Sequence, residues 1–359
     1  MTKDEIQDEC LKTLIPLKNG TSVLSVGVGK TRIALRHIDY LFQKGLIKTV
    51  LVVIPKISTI KTWKDEIALT SLNHLNDIIT YTTYRSLNKQ SKDYSIVYFD
   101  EIHNILKTHN VYLKDYQGYV FGLTGTLPIY KSNIKRKMID YYAPVVFKCT
   151  IKEAVDNKII NDVDIIIHYI PLSDKKDVKI TTAKSEFFVS ELDNYNYICK
   201  QIENNPEKEF LKIMRTKILQ EYKSKVDFIK KLKTEITEKC LIFVNSKIQA
   251  QEVCSHSYFS GNELSDENLL KFKKGIIKQM SCILQLSEGI NIPDLRCGII
   301  SHSFGNEFKL NQRIGRLCRL NPDQLSTVHI LCYKGTIDET WVEESLKDLN
   351  HKKIKKFYY

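Results

Sequence analysis

The chain has 359 residues, 43% of them hydrophobic, which is too long for one ordinary core and enough to fill two. Its 54 basic side chains outnumber 42 acidic ones, and the formal charge of +12 points to a polyanionic partner, most simply nucleic acid. Its nine cysteines form no Cys-x-x-Cys pair and no apolar run reaches the ~18 residues of a membrane span, which argues against clustered zinc or iron–sulfur sites and against membrane insertion.

Residues 1–20 carry Ile6, Cys10, Leu11, Leu14 and Ile15 at helical spacing, which predicts a leading helix ending near Lys18-Asn19-Gly20. Residues 1–5 lack the apolar core of a signal peptide. Next, Val23-Leu24-Ser25-Val26 turns through Gly27-Val28-Gly29-Lys30-Thr31-Arg32 into Ile33-Ala34-Leu35, which reads as strand, loop and helix opening. Two glycines let the backbone turn tightly and aim several N–H groups at one phosphate chain. Lys30 can then reach the β- and γ-phosphates, and the Thr31 hydroxyl can ligate Mg²⁺. Leu24 stands where the full phosphate-loop pattern begins with glycine, so this is a short form.

Val50-Leu51-Val52-Val53-Ile54, stopped by Pro55, and residues 78–81 predict two further strands. Ser95-Ile96-Val97-Tyr98-Phe99 runs directly into Asp100-Glu101-Ile102-His103. A carboxylate at the C-terminal end of a neighbouring parallel strand points into the same crevice as the loop. There Asp100 can hold Mg²⁺ through water, and Glu101 can orient or deprotonate the attacking water. His103 is read as a hydrogen-bonding partner within that site. A strand over 120–124 follows, and short apolar strands alternating with helices predict an α/β fold with a parallel sheet covered on both faces.

From 171 to 239 glycine is absent and lysines alternate with apolar residues at helical spacing, which predicts helices joining two α/β halves. Strands are expected over 240–244, 281–285, 297–301 and 327–333. Between the last two lies Gln312-Arg313-Ile314-Gly315-Arg316-Leu317-Cys318-Arg319, whose arginines recur every three residues and share a helix face. Guanidiniums crowded on one stripe need an anion, and the γ-phosphate of a nucleotide held by the first half supplies it. The basic, aromatic stretch 351–359 reads as a solvated helix end.

In this order the motifs resemble those of superfamily 2 helicases and translocases. Gly27-Val28-Gly29-Lys30-Thr31 is similar to motif I, and Asp100-Glu101-Ile102-His103 to motif II in its DExH form. Leu123-Thr124-Gly125-Thr126-Leu127-Pro128 resembles motif III, and Ile242-Phe243-Val244-Asn245-Ser246 resembles motif IV. Ser287-Glu288-Gly289-Ile290-Asn291-Ile292-Pro293 resembles motif V, and the stretch 312–319 resembles motif VI. Within the superfamily the chain looks closest to the Snf2-like branch and its compact phage and viral relatives. That likeness is carried by Val53-Ile54-Pro55-Lys56 with Trp63-Lys64-Asp65-Glu66-Ile67 (motif Ia), by residues 80–87 (motif Ib) and by Thr336-Ile337-Asp338-Glu339.

The resemblance implies two tandem RecA-like (P-loop) domains with ATP clamped in the cleft between them. Domain 1 would span 1–150, a linker and helical connecting element 151–235, and domain 2 236–359. Gly27, Val28, Gly29, Lys30, Thr31 and Arg32 would hold the nucleotide together with Gly289 and Asn291, Gln7 would read adenine, and Thr31 and Asp100 would hold Mg²⁺. Lys30, Asp100, Glu101, Gln312, Arg316 and Arg319 would form the catalytic set, with Gln312 sensing the γ-phosphate and the two arginines acting as fingers. His103, Thr124 and Thr126 would link nucleotide state to lobe movement. Lys56, Thr83, Ser246 and Lys247 would grip backbone phosphates, contacts that carry no sequence information.

The expected activity is that of an ATP-dependent DNA helicase or translocase, a monomer in the cytoplasm, or in the host cytoplasm if viral. One alternative is an RNA helicase, which the DExH form of motif II disfavours. The other is a non-catalytic nucleic-acid clamp, which the intact Lys30, Asp100, Glu101, Arg316 and Arg319 disfavour.

Overall fold

A computed structural model describes residues 1–25, 27–128, 131–181, 185–283, 292–302, 324–346 and 353–359. The chain divides into two compact units, the first built on Met1–Asp162 and the second beginning at Val163.

The first unit opens with helix α1 (Lys3–Leu14), started by a capping box in which the Thr2 hydroxyl accepts from the Glu5 N–H and the Glu5 carboxylate accepts from the Thr2 N–H. Strand β1 (Asn19–Leu24) leads through the glycine loop into α2 (Lys30–Gln43). Then come β2 (Val50–Ile54), α3 (Thr59–Leu69), β3 (Ile79–Thr83), β4 (Ile96–Asp100), β5 (Tyr119–Thr124) and β6 (Val145–Cys149). The six strands form one parallel sheet in the order β3-β2-β4-β5-β1-β6. Every residue of β2 and β4 is buried, as a parallel sheet with both faces covered demands. The order β4-β5-β1 places the segments that follow these three strands side by side at one end of the sheet.

The second unit has a seven-stranded sheet of β7 (Val163–Ile170), β10 (Cys240–Phe243), β11 (Ser257–Tyr258), β12 (Gln279–Cys282), β13 (Cys297–Ile300), β14 (Ser326–Tyr333) and β15 (Ile354–Tyr358). Its order is β11-β12-β10-β13-β14-β7-β15, again parallel throughout. A separate antiparallel pair, β8 (Val178–Thr181) and β9 (Glu186–Val189), precedes the helices Glu191–Asn204, Glu209–Glu221 and Lys223–Leu232.

Two expectations change here. The stretch expected as linker from 151 contains β7, which pairs with β14 over all eight of its residues and so belongs to the second sheet. Ile165, Ile167 and Tyr169 bury one face of it. The chain end is a strand rather than a helix end. It pairs in parallel with β7 from Ile354 to Tyr358, Tyr358 stacks on Tyr169 at 4.7 Å, and the Tyr359 hydroxyl lies 2.9 Å from His168 Nδ1.

Candidate active site

The loop after β1 is shaped by two glycines with left-handed backbone, Gly27 at φ 91° and Gly29 at φ 98°. A side chain would be strained at either position. A Cβ on Gly27 would also meet Ile160 Cγ2 at 2.6 Å, and one on Gly29 would meet Gln7 Nε2 at 2.5 Å. Helix α2 starts directly from Gly29 with no side-chain cap and no acid in its first turn. Its first N–H groups therefore face the loop as a site for an anion. Thr31 is half-buried on that first turn.

Gln7 is buried, and its Nε2 donates to the Val28 carbonyl at 2.7 Å. The structure thus places it against the loop backbone, which it braces. Arg32 turns away from the loop and pairs with Glu66 of α3, Nε to Oε1 at 2.6 Å.

Lys30 leans towards the end of β4, its Nζ 3.3 Å from Glu101 Oε1 and 3.4 Å from where a Cβ on Gly125 would sit. Glu101 itself has φ 52°, a strained conformation for a residue with a Cβ. Its carbonyl accepts from the Asn104 N–H and from the Tyr84 hydroxyl, and that hydroxyl also lies 2.8 Å from the Asp100 carbonyl. Asp100 is buried, and its Oδ2 accepts from Trp63 Nε1 at 3.0 Å.

Burial, followed by the adjacent Glu101 charge, pushes the Asp100 carboxyl up to about 6, against the Trp63 N–H and Lys30, which favour the ion. Burial also pushes Glu101 up, but Lys30, His103 and hydrogen bonds from Lys30 and the Gly125 backbone outweigh it and hold that carboxyl below its ordinary value. Glu101 is therefore ionised beside a lysine, as a carboxylate that activates water must be before it accepts a proton.

The third strand end completes the group. His103 Nδ1 lies 2.9 Å from Thr124 Oγ1 and 3.4 Å from Glu101 Oε2, and burial lowers its pKa to about 4. Thr124 in turn donates to the Thr126 carbonyl at 2.6 Å. A neutral imidazole, a hydroxyl and a carboxylate are thus linked from β4 to the segment after β5. Lys56 is exposed just beyond β2, and Thr83 is the last residue of β3, half-buried with its Oγ1 3.4 Å from Ser86 Oγ.

Comparison with known proteins fits this arrangement to a family. The type III restriction enzyme res subunit family matches residues 2–129, and the helicase conserved C-terminal domain matches residues 224–321. These two matched domains indicate a superfamily 2 helicase. The chain is accordingly an ATP-hydrolysing enzyme.

This helicase is 23% identical over 379 aligned positions to the DNA 3'-5' translocase XPB2 of Sulfurisphaera tokodaii, covering 94% of this chain and 84% of that protein. Among solved structures it is similar to the ATP-dependent Type ISP restriction-modification enzyme LlaBIII bound to DNA, with a TM-score of 0.62 at 14% identity. That match covers 99% of the helicase but only 31% of the other chain, so the helicase spans about a third of its length. It is also similar to S. cerevisiae Dbp5 bound to RNA and ADP BeF3 (TM-score 0.61, 11% identity, 99% and 89% covered). The Hef helicase domain of Pyrococcus furiosus follows with a TM-score of 0.52 at 16% identity, covering 96% and 97%. These structural likenesses carry the fold, two RecA-like domains with parallel sheets.

In the second unit of this helicase Ser246 caps the helix Lys247–Val253, its Oγ accepting from the Gln249 N–H, and the Lys247 ammonium lies over the Phe259 ring. Gly289, Asn291, Gln312, Arg313, Arg316 and Arg319 lie outside the described residues. Among the described residues no helix is long and apolar enough to cross a membrane. Trp63 and Tyr84, quoted above only as parts of motifs Ia and Ib, turn out to touch the Asp100–Glu101 pair. A bulky aromatic with one polar atom, set on a mostly apolar buried face, was the available signal.

Proposed function

We propose that this helicase couples ATP hydrolysis to movement along DNA, which it remodels or unwinds. The observation that carries the reading is the meeting of Lys30, Asp100, Glu101 and Thr124 at the ends of three adjoining strands, beside an uncapped helix N-terminus. A cradle that any Cβ would fill, next to a buried carboxylate pair, fits a magnesium-bound triphosphate. The loop N–H groups and Lys30 hold the phosphates, and Thr31 and Asp100 hold Mg²⁺, which neutralises charge on the β- and γ-phosphates when bound.

Lys30 now rests on Glu101. Drawn to phosphate, it leaves the Glu101 carboxylate free to take a proton from the attacking water. His103 Nδ1 lies between the other Glu101 oxygen and the Thr124 hydroxyl, and Thr124, donating to the Thr126 carbonyl, carries that position on. Gln312, Arg316 and Arg319 answer the γ-phosphate from motif VI, and Gly289 and Asn291 contact the nucleotide. Lys56, Thr83, Ser246 and Lys247 hold the DNA backbone. The motif Ia and Ib residues support a Snf2-like ancestry among compact phage-type motors, and we read the protein as a cytoplasmic monomer.

Phosphate release from Mg²⁺-ATP, measured with single-stranded DNA, duplex DNA and RNA, tests the reading. DNA should activate most, and Lys30→Ala and Glu101→Gln should each lose at least about 100-fold in turnover. Turnover that survives Lys30→Ala, or a response to RNA alone, would overturn it.

A further inference from the structure

Helix α3 is attached to the nucleotide site at two points. Glu66 on one turn pairs with Arg32, which directly follows Thr31 on α2. Trp63, fully buried one turn earlier, donates its indole N–H to Asp100 Oδ2. At its other end a turn leads into the helix, the Lys56 carbonyl accepting from the Thr59 N–H at 2.9 Å, so the backbone of Lys56 is tied to the start of α3.

Strand β3 offers a parallel case. Thr83 ends it, and the next residue, Tyr84, sends its hydroxyl to the carbonyls of both Asp100 and Glu101. The Trp63 and Tyr81 rings meet edge to face at 6.3 Å, so the two routes are packed against each other. The elements that present the candidate DNA grips, β2–α3 and β3, thus also hold the two carboxylates. A shift of a few tenths of an ångström in either element changes a hydrogen bond to the metal-binding and water-activating pair.

We propose that Trp63 and Tyr84 are positioning residues through which nucleic acid gripped at Lys56 and Thr83 sets the geometry of Asp100 and Glu101, and so the rate of hydrolysis. This rests on the reading of the chain as a DNA-driven ATPase. Trp63 fixes one carboxylate oxygen of Asp100, and the other would be the one available to a bound metal. Tyr84 holds the strained peptide between Asp100 and Glu101. Nucleic-acid activation is then a correction of carboxylate aim rather than a change in nucleotide affinity.

The test compares the full-length protein with Trp63→Phe and Tyr84→Phe, the second of which keeps ring and volume and loses only the hydroxyl. The ratio of DNA-activated to DNA-free turnover should fall about tenfold in each, the value of about one buried hydrogen bond, to a carboxylate for Trp63 and to backbone carbonyls for Tyr84. KM for ATP and DNA affinity measured by fluorescence anisotropy should hold. A loss of fold would instead lower all these quantities together with the melting temperature.

A second readout needs no turnover. The chain has two tryptophans, so Trp341→Phe leaves Trp63 as the sole indole, and duplex DNA alone should shift its emission. Unchanged activation ratios in both variants, or unmoved emission while anisotropy reports bound DNA, would overturn the inference. Wild-type protein that DNA fails to activate would instead bring down the proposed function, and this inference with it.

Discussion

Glu101 and Gly29 share left-handed backbone angles but meet them differently. Glu101, at φ 52°, carries a Cβ, so its conformation costs about 1–3 kcal/mol, offset by bonds from Tyr84, Asn104 and Lys30. Gly29, at φ 98°, has no such cost until a side chain is added. Gly29→Ala should weaken binding of a fluorescent ATP analogue by about tenfold, through ~1–2 kcal/mol of backbone strain plus the encounter with Gln7 Nε2. Adding Gln7→Ala should recover only part of that, because the strained angle remains.

His37 titrates in the opposite sense to a paired histidine. It is fully buried against Phe121 and Tyr98, and burial lowers its pKa from 6.5 to about 4. The unfolded chain therefore takes up this proton first as pH falls, so the stabilisation is present above pH 6.5 and is lost on the way down to about 4. His168 shifts in the same direction through burial and then the His329 charge. The unfolding free energy from urea titrations should drop over that window by an amount on the order of 3 kcal/mol for His37, and His37→Gln should flatten the slope.

At the scale of elements, β15 is an edge strand whose only neighbour among the described residues is β7. Deleting residues 354–359 removes the Tyr358–Tyr169 stack and uncovers the backbone groups of β7. Such a truncation should lower the melting temperature and raise light scattering at low salt, because an unpaired strand invites pairing between molecules. β2, β4 and the glycine loop were legible in the sequence because their signals are local: an apolar run, a proline stop, a pair of glycines.

β7 was not, since its partners β14 and β15 lie more than 150 positions further along and nothing near Val163 announces them. β15 misled because Lys355 and Lys356 read as part of a solvated helix end when pairing with β7 makes the segment a strand. In the candidate site, the motif residues Lys30, Glu101, His103 and Thr124 stand in mutual contact at the strand ends. The Trp63–Asp100 bond and the Gln7–Val28 brace join residues 37 and 21 positions apart and depend on how helices lie on the sheet.

For the molecule as a whole, the formal charge of +12 predicts how binding responds to salt. Affinity for duplex DNA should fall log-linearly with salt, and Lys56→Ala should reduce the slope by about one, as expected for one phosphate contact. Anisotropy titrations across a salt series measure it directly, and a flat response would mean that the basic residues serve solubility instead.

The strand order has a consequence for how this protein is made. β5 lies between β1 and β4 yet follows both in the chain. A nascent polypeptide that has not yet reached Tyr119 lacks the strand that joins its phosphate loop to its acidic pair, and ATP should offer such a fragment no protection from proteases. Only when the late strand slides into the middle does the ligand begin to stabilise its own receptor.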